Sequence, residues 1–218
     1  MATQKRKVRY TSPVGTFDHP WLDTPCKFDA NKGDRGQSVP AKATDLQANY
    51  NVTVTLDPKV FESSDFKKQI DEVWSLAQEE YGDSFDAVSP PYFQNEDGDY
   101  VLKPRCKAAF QKDDGSVQQM RPALLDCDGK NVTEFIKNEG IKVGSGSLGR
   151  VIVTTYTPKP YKSSKGKNAG KHVLGMNLDL KVAQFKRLDR YEGSGDTGAE
   201  AIDGGIPVSE DYGEAIPI

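Results

Sequence analysis

The sequence has few of the residues from which metal sites, disulfides and membrane spans are built. Its 218 residues include three cysteines and two histidines, and Cys26, Cys106 and Cys127 form no C-x-x-C pair. An odd number of unpaired thiols favours a reducing cytosol, and neither a zinc site nor any other cofactor is expected. No run of 18 apolar residues occurs, and the basic start MATQKRKVRY lacks the apolar stretch of a signal peptide. Neither a membrane span nor secretion is therefore predicted.

The charge is small overall but strongly segregated along the chain. The net charge is −3. From Lys142 to Arg190, eight lysines and three arginines stand against Asp179 and Asp189, a balance of +9. Residues 191–218 contain seven acids and no base, a balance of −7. This asymmetry predicts a folded domain over residues 1–190 with a polyanionic ligand, followed by a flexible acidic tail over 191–218. A solvated basic face with a solubilising tail is the alternative.

Hydrophobic periodicity predicts a mainly β domain with one helix. Residues 50–56, YNVTVTL, alternate apolar and polar, which is typical of a half-buried strand. A helix with Asp65 as its cap is predicted to run to Tyr81, with Trp74 on its apolar stripe, and residues 29–49 are predicted to form a long loop. Strands are further expected over residues 100–111, 117–125, 151–157 and the long stretch HVLGMNLDLKVAQF.

These elements favour one architecture. Five or so antiparallel strands, one inserted amphipathic helix and long loops predict an OB fold, a five-stranded Greek-key barrel. An open sandwich is the competing architecture.

The stretch KVGSGSLGRVIV contains a literal G-x-G-x-x-G-x-V, with Gly144, Gly146 and Gly149. A kinase requires an H-R-D loop and D-F-G afterwards, and neither follows. A dinucleotide-binding loop requires a helix after the glycines, whereas a strand is predicted here. The glycines are therefore interpreted as letting the loop bend sharply into the strand at Arg150. No catalytic constellation is evident, so the chain is not predicted to be an enzyme.

Tyrosines and lysines alternate in TTYTPKPYKSSKGKNAGK, residues 154–171. Single-stranded nucleic acid requires cations for its phosphates and flat faces for its unstacked bases, and this composition supplies both. A second cluster lies in residues 5–10, and a third alternates along residues 103–107, which places its cations on one sheet face. The predicted nucleic-acid contacts are Lys7, Arg9, Tyr10, Lys103, Arg105, Lys107, Arg150, Tyr156, Lys159, Tyr161, Lys162, Lys165, Lys167 and Lys171.

Several motifs, in their order, resemble the single-stranded DNA-binding proteins of short-tailed bacteriophages of the T-seven-like podovirus type. The motifs are TSPVGTF, YNVTVTL, PPYFQNEDGD, LKPRCKAAFQ, LLDCDGK and the PYK of residues 160–162. The resemblance implies an OB fold with an inserted helix, a homodimer, and sequence-independent binding of single-stranded DNA in viral replication, recombination and repair. It also implies the cytoplasm of an infected bacterium as the location.

The resemblance further implies that an acidic C-terminal tail binds the viral DNA polymerase and helicase–primase and competes with DNA for the basic groove. The tail here ends EDYGEAIPI, and its predicted partner-binding residues are Asp211, Tyr212, Glu214, Ile216, Pro217 and Ile218. The ending is closer to the I-P-F of cellular single-stranded DNA-binding proteins than to the aromatic end of the phage type. An RNA-binding or virion-associated OB protein, and a nucleotide-binding enzyme using Gly144–Gly149, remain as alternatives.

Overall fold

The structure, a computed structural model, describes residues 8–33, 36–155, 158–164 and 168–190. Four predicted contacts, Lys7, Tyr156, Lys165 and Lys167, lie outside the described residues, as does the whole acidic segment 191–218. The predictions made for these residues therefore stay predictions.

The described residues form fifteen strands and three helices. The strands are β1 Arg9–Thr11, β2 Gly15–Asp29, β3 Gln37–Pro40, β4 Asn49–Leu56, β5 Ala87–Ser89, β6 Tyr92–Gln94, β7 Tyr100–Leu102, β8 Arg105–Lys107, β9 Ala109–Gln111, β10 Val117–Gln119, β11 Ala123–Leu125, β12 Leu148–Thr154, β13 Lys159–Lys162, β14 His172–Gly175 and β15 Asp179–Arg187. The helices are α1 Pro58–Glu62, α2 Asp65–Tyr81 and α3 Thr133–Asn138. In the described part of the chain, no helix is long and apolar enough to cross a membrane.

One ten-stranded sheet organises the domain. Its strand order is β3-β2-β12-β15-β8-β4-β7-β6, with β1 joined to β12, β11 joined to β15, and β2 also paired with β4. Strands β13, β14 and β5 form a second sheet, and β9 and β10 form a hairpin. The mainly β architecture with an inserted helix is consistent with the predicted OB fold. It contains more strands than the five predicted, and three of its pairings are parallel: β11–β15, β8–β15 and β5–β14.

Strand β4 divides the core from an open face of the sheet. Tyr50, Val52, Val54 and Leu56 are buried, while the alternate side chains are half-exposed, as the period-two pattern predicts. Across the core, the rings of Phe17 and Phe185 pack edge to face with centroids 5.8 Å apart. The half-exposed face of β4 is the one that carries the site described below.

Helix α2 spans Asp65–Tyr81, so its end at Tyr81 is as predicted and its start lies one residue earlier. Its apolar stripe buries Phe66, Ile70 and Ala77, and Trp74 packs partly buried against the core. The predicted cap is wrong by one residue. Ser64 is the N-cap, because its hydroxyl oxygen accepts a hydrogen bond from the Lys67 amide at 3.2 Å.

Several predicted strands are interrupted. The predicted strand over 100–111 is divided into β7, β8 and β9, and the one over 117–125 into β10 and β11. The long stretch 172–185 is divided into β14 and β15, which belong to different sheets. Periodicity alone does not reveal such breaks. Met176 and Leu178 continue the apolar alternation across the break between β14 and β15, and both are buried. The predicted loop 29–49 contains strand β3.

Candidate nucleic-acid interface

A groove of about 590 Å³ runs over the half-exposed face of β4. Its floor is formed by the small polar side chains of Asn49, Asn51 and Thr53. One wall comes from β2 and β3, and the other from the segments around β6 and β8 together with Tyr161 of β13. None of the described residues that line the groove is acidic. The second sheet thus brings Tyr161 to the open face of the main sheet.

Three exposed aromatic rings line this groove. Phe28 is 66% exposed, Tyr161 is 49% exposed and Phe93 is 45% exposed. Exposed rings of this size lose favourable burial, so their clustering at one groove marks a surface that receives a ligand. Flat apolar faces in a wet groove are the groups on which unstacked bases lie.

Three cations accompany the rings. Lys103 holds its Nζ 5.0 Å from the centre of the Phe93 ring, a cation–π arrangement. Arg105 donates from Nη2 to Asn177 Oδ1 at 2.9 Å, which fixes the guanidinium within the groove. Lys27 lies 3.0 Å from Asp45 Oδ2. The Gln47 amide and, after it, the Lys27 ammonium lower the pKa of Asp45 below its usual range.

The floor also contains a thiol. Asn51 donates from Nδ2 to Cys26 Sγ at 3.1 Å, and burial raises the pKa of the Cys26 thiol. The thiol is therefore kept neutral and serves as a hydrogen-bond acceptor rather than as a nucleophile.

Several other predicted contacts lie near the groove without lining it. Lys107 is exposed on the same face of β8 as Arg105 and is paired in register with the floor residue Asn49. Lys159 and Lys162 are exposed on the β13 strand that carries Tyr161, and the exposed Lys171 lies just before β14. Lys159 shares the face of β13 with Tyr161, so it places further positive charge on that side of the groove.

Three predicted contacts lie elsewhere. Tyr10 is only 5% exposed and belongs to the core next to α2, so its ring is not available for stacking, and that prediction is wrong. Arg9 is exposed on β1, opposite Thr154, and does not line the groove. Arg150 lines a separate cavity of about 250 Å³ beside Phe185 and Lys186, where its Nε donates to Gln184 Oε1 at 2.9 Å.

Sequence reasoning missed Phe28, Phe93 and Lys27. Phe28 and Lys27 come from the end of a fifteen-residue strand, β2, and Phe93 from a three-residue strand, β6. Local clustering of bases and aromatics is the signal that found Tyr161, and no such cluster surrounds Phe93. In Lys27-Phe28 a base and a ring are adjacent, which is a weak signal of the same kind.

The glycine loop has the structural role that was predicted. The amides of Gly144 and Gly146 donate to the carbonyl oxygens of Asp189 and Phe17 at 2.7 and 2.9 Å, so neither is free for a phosphate. Gly149 is the second residue of β12, where a side chain would collide with the Gln184 backbone. Among the described residues, no group of three or more histidines, cysteines and acids is placed to hold a metal ion.

The OB-type fold and a groove of rings and cations are features typical of proteins that hold a single nucleic-acid strand. The chain matches no protein-family model. It does resemble particular phage proteins, as the sequence motifs predicted.

The chain is 27% identical to the single-stranded DNA-binding protein of enterobacteria phage T3, over 96% of this chain and 89% of that protein. Among solved structures it is similar to gp2.5, a single-stranded DNA-binding protein encoded by bacteriophage T7. That similarity has a TM-score of 0.56 and 21% identity, covering 94% of this chain and 100% of the other. The single-stranded DNA-binding protein of bacteriophage Enc34, solved with DNA, has a TM-score of 0.48 and 15% identity over 85% and 89% of the two chains. The resemblance to phage single-stranded DNA-binding proteins is thus confirmed, and the T7 structure supports the fold.

Proposed function

We propose that this chain binds single-stranded DNA without sequence preference and without catalysis, in phage DNA replication, recombination and repair. The observation that carries the proposal is the groove, because Phe28, Phe93 and Tyr161 meet Lys27, Lys103 and Arg105 there with no acid among the lining residues. The names of the T3 and T7 relatives support the same ligand.

The arrangement explains how a strand would be held. Bases that are free of a partner strand present both faces, and each one stacked on a ring contributes about 1–3 kcal/mol whatever its identity. The cations neutralise phosphates, and the polar side chains of Asn51 and Thr53 offer hydrogen bonds to base edges. A duplex keeps its bases stacked inside, so the rings favour single strands over duplex.

The acidic segment and the assembly state belong to the proposal as well. Residues 191–218 form a tail that recruits the viral polymerase and helicase–primase through its end, Asp211, Tyr212, Glu214, Ile216, Pro217 and Ile218. The tail also competes with DNA for the groove, since its charge of −7 is opposite to that of the basic block. The protein acts as a homodimer in the cytoplasm of the infected cell.

The test is a titration of the full chain with a fluorescent oligo-dT of about thirty nucleotides, the matching duplex and oligo-U, at two salt concentrations. Tight binding of oligo-dT over duplex is expected, with log K falling against log[salt] at a slope of roughly −3 to −4 if about four to six phosphates are neutralised. Equal binding of duplex and oligo-dT would contradict the stacking mechanism. Preference for oligo-U would instead favour an RNA-binding function.

A further inference from the structure

Two of the three groove rings lie against a glycine that is diagonal to them, on or next to the neighbouring strand. Tyr161 of β13 is paired across the sheet with Val173, and Gly175 stands two residues along the partner strand β14. Phe28 of β2 is paired with Ser38, and Gly36 stands two residues before it, next to β3. Diagonal neighbours of this kind in an antiparallel pair are within reach of an aromatic side chain.

The space beside each glycine is occupied by the ring. A Cβ placed on Gly175 would lie 3.1 Å from Tyr161 Cε1, so the ring would have to shift by a few tenths of an ångström, whereas the 3.5 Å to Tyr161 Oη is an ordinary contact. The larger side chain of valine would require a larger shift of the ring. A Cβ on Gly36 would overlap Phe28 Cζ and lie 3.0 Å from Phe28 Cε1. Each ring therefore has one face or edge fixed by bare backbone and remains about half or more exposed on the other side.

We infer that Gly36 and Gly175 are positioning residues, whose missing side chains set the planes of Phe28 and Tyr161 for the incoming bases. The inference rests on the proposed function and extends it to two residues that do not line the groove themselves. A base stacks well only on a ring that is already held in place, because ordering a free side chain on binding reduces the affinity. The third ring, Phe93, is held differently, by the Lys103 ammonium above it.

A purely structural role is the competing explanation, since an aromatic ring that covers a glycine also stabilises a sheet. The two roles differ in what happens when the ring is absent. A positioning glycine acts through its ring, so substituting it changes nothing further once the ring has been removed. A glycine needed for the fold remains costly to substitute in either background.

Gly175→Val is the sharpest variant. Gly175 does not adopt a positive φ, and valine is favoured in strands, so the substitution introduces no backbone strain. The affinity for oligo-dT is expected to fall by about 5-fold or more, within the range of about 5- to 150-fold that corresponds to loss of one stacked base. The salt slope is expected to stay unchanged because no charge is removed.

The double variant separates the two explanations. In a Tyr161→Ala background, Gly175→Val is expected to change the affinity less than about 2-fold, because the ring through which Gly175 acts has already been removed. A loss of the same size with and without the Tyr161 ring would overturn the inference, and so would unchanged binding in Gly175→Val alone.

The second glycine provides its own matched control. Gly36 has φ +72°, so Gly36→Ala combines backbone strain with displacement of Phe28. Gly33 has φ +63° with open space around its missing Cβ, so Gly33→Ala carries the strain alone. Weaker binding in Gly36→Ala with wild-type binding in Gly33→Ala is the expected result. Equal losses in both variants would overturn the role of Gly36.

One readout requires no DNA. An α proton of Gly175 points toward the Tyr161 ring, so its NMR resonance is expected to be displaced by the ring current and should return toward its ordinary value in Tyr161→Leu. Unshifted protons would overturn the contact itself. If the wild-type chain fails to bind oligo-dT, the proposed function falls and this inference falls with it. If the wild-type chain binds oligo-dT and Gly175→Val binds it with the same affinity, only the inference is overturned.

Discussion

At the scale of single residues, the groove combines two kinds of group that act on different parts of a nucleotide. Rings such as Tyr161 contact bases and contribute a free energy that depends little on salt. Cations such as Arg105 neutralise phosphates and contribute a free energy that salt weakens. The two contributions can therefore be separated by measuring affinity against salt concentration.

Tyr161→Ala is expected to weaken binding of oligo-dT by about 1–3 kcal/mol with the salt slope nearly unchanged. The measurement is a fluorescence titration at several salt concentrations. Phe135→Ala is the control, because Phe135 is a similarly exposed aromatic residue on α3 that does not line the groove. A loss confined to the salt slope would show that Tyr161 does not stack.

Arg105→Ala is expected to reduce the magnitude of the salt slope by about 0.7, the amount that corresponds to one phosphate on a single strand. Lys68→Ala removes an exposed cation that is paired with Asp65 on α2, outside the groove. The control should leave the slope as it is in the wild type. An unchanged slope in Arg105→Ala would place its guanidinium outside the phosphate path.

Sequence reasoning found part of this site and could not have found all of it. Tyr161 lies in a stretch where bases and aromatics alternate, Lys103 and Arg105 lie in one where bases occupy every second position, and these local patterns were sufficient. Phe93 has no such neighbours, and its exposure depends on how β6 meets the groove. Tyr10 has the same local pattern as Tyr161 but faces the core, because the register of β1 on β12 pairs it with the buried Val153.

At the scale of elements, α2 and the strands beneath it are joined by both packing and a half-buried polar cluster. Phe61 of α1 lies between Tyr92 and Tyr100, with ring centroids 4.9 and 4.5 Å away. The Tyr92 hydroxyl donates to Asp71, and Lys67 Nζ lies 2.6 Å from Asp71 Oδ2. The hydrogen bond to Asp71 raises the pKa of Lys67, so this ion pair persists across the neutral range.

Ile70→Ala is expected to lower the free energy of unfolding by about 2–5 kcal/mol. Ile70 is fully buried on the core-facing side of α2, and the cavity left by the smaller side chain cannot close completely. Urea denaturation followed by circular dichroism provides the measurement. On the same helix, Leu76 is 56% exposed, so Leu76→Ala should change stability little. Similar losses in the two variants would mean that α2 does not pack as described.

Alkaline pH is expected to destabilise the wild-type protein more than Tyr92→Phe. Burial, and then the hydrogen bond to Asp71, raises the pKa of Tyr92 to about 12 from its ordinary value of 10.0. The folded state therefore favours the neutral phenol, and its contribution to stability is complete below about pH 10 and is lost as the pH rises toward about 12. Urea unfolding at about pH 9 and about pH 11 should show the smaller decrease in Tyr92→Phe. Equal decreases would contradict this account.

Periodicity predicted α2 to within one residue at its start and to Tyr81 at its end, because a seventeen-residue helix repeats its apolar stripe several times. The strands were harder to predict. Breaks such as the one between β14 and β15 arise where the chain leaves one sheet for another, and Asn177 at that break faces the groove. Which sheet a strand joins is decided by distant partners, which leave no trace in local alternation.

At the scale of the whole molecule, opposite charges are carried by neighbouring parts of the chain. Residues 142–190 carry +9 and residues 191–218 carry −7. The order of these blocks was evident from the sequence alone. The strands that pair with β4 and β15 decide where the positive charge is concentrated, and these pairings were not evident from the sequence.

Removing residues 191–218 is expected to tighten binding of oligo-dT, on the order of tenfold at low ionic strength and by much less at high salt, where the attraction is screened. The full chain and the truncated chain are compared in the same titration. A chain that keeps its length but has its tail acids changed to amides should behave like the truncated one. Unchanged affinity after truncation would show that the tail does not compete with DNA.

The position of β15 along the chain has a consequence for how the protein is made. This strand pairs with β12, β11 and β8 and supplies Leu180, Ala183 and Phe185 to the core, yet it is the last strand that the structure describes. A nascent chain on the ribosome cannot complete its sheet until residues 179–187 have emerged, because β15 supplies three of the sheet's pairings. A chain that ends before residue 179 would consequently lack these pairings and leave the core side chains that pack on β15 exposed to water.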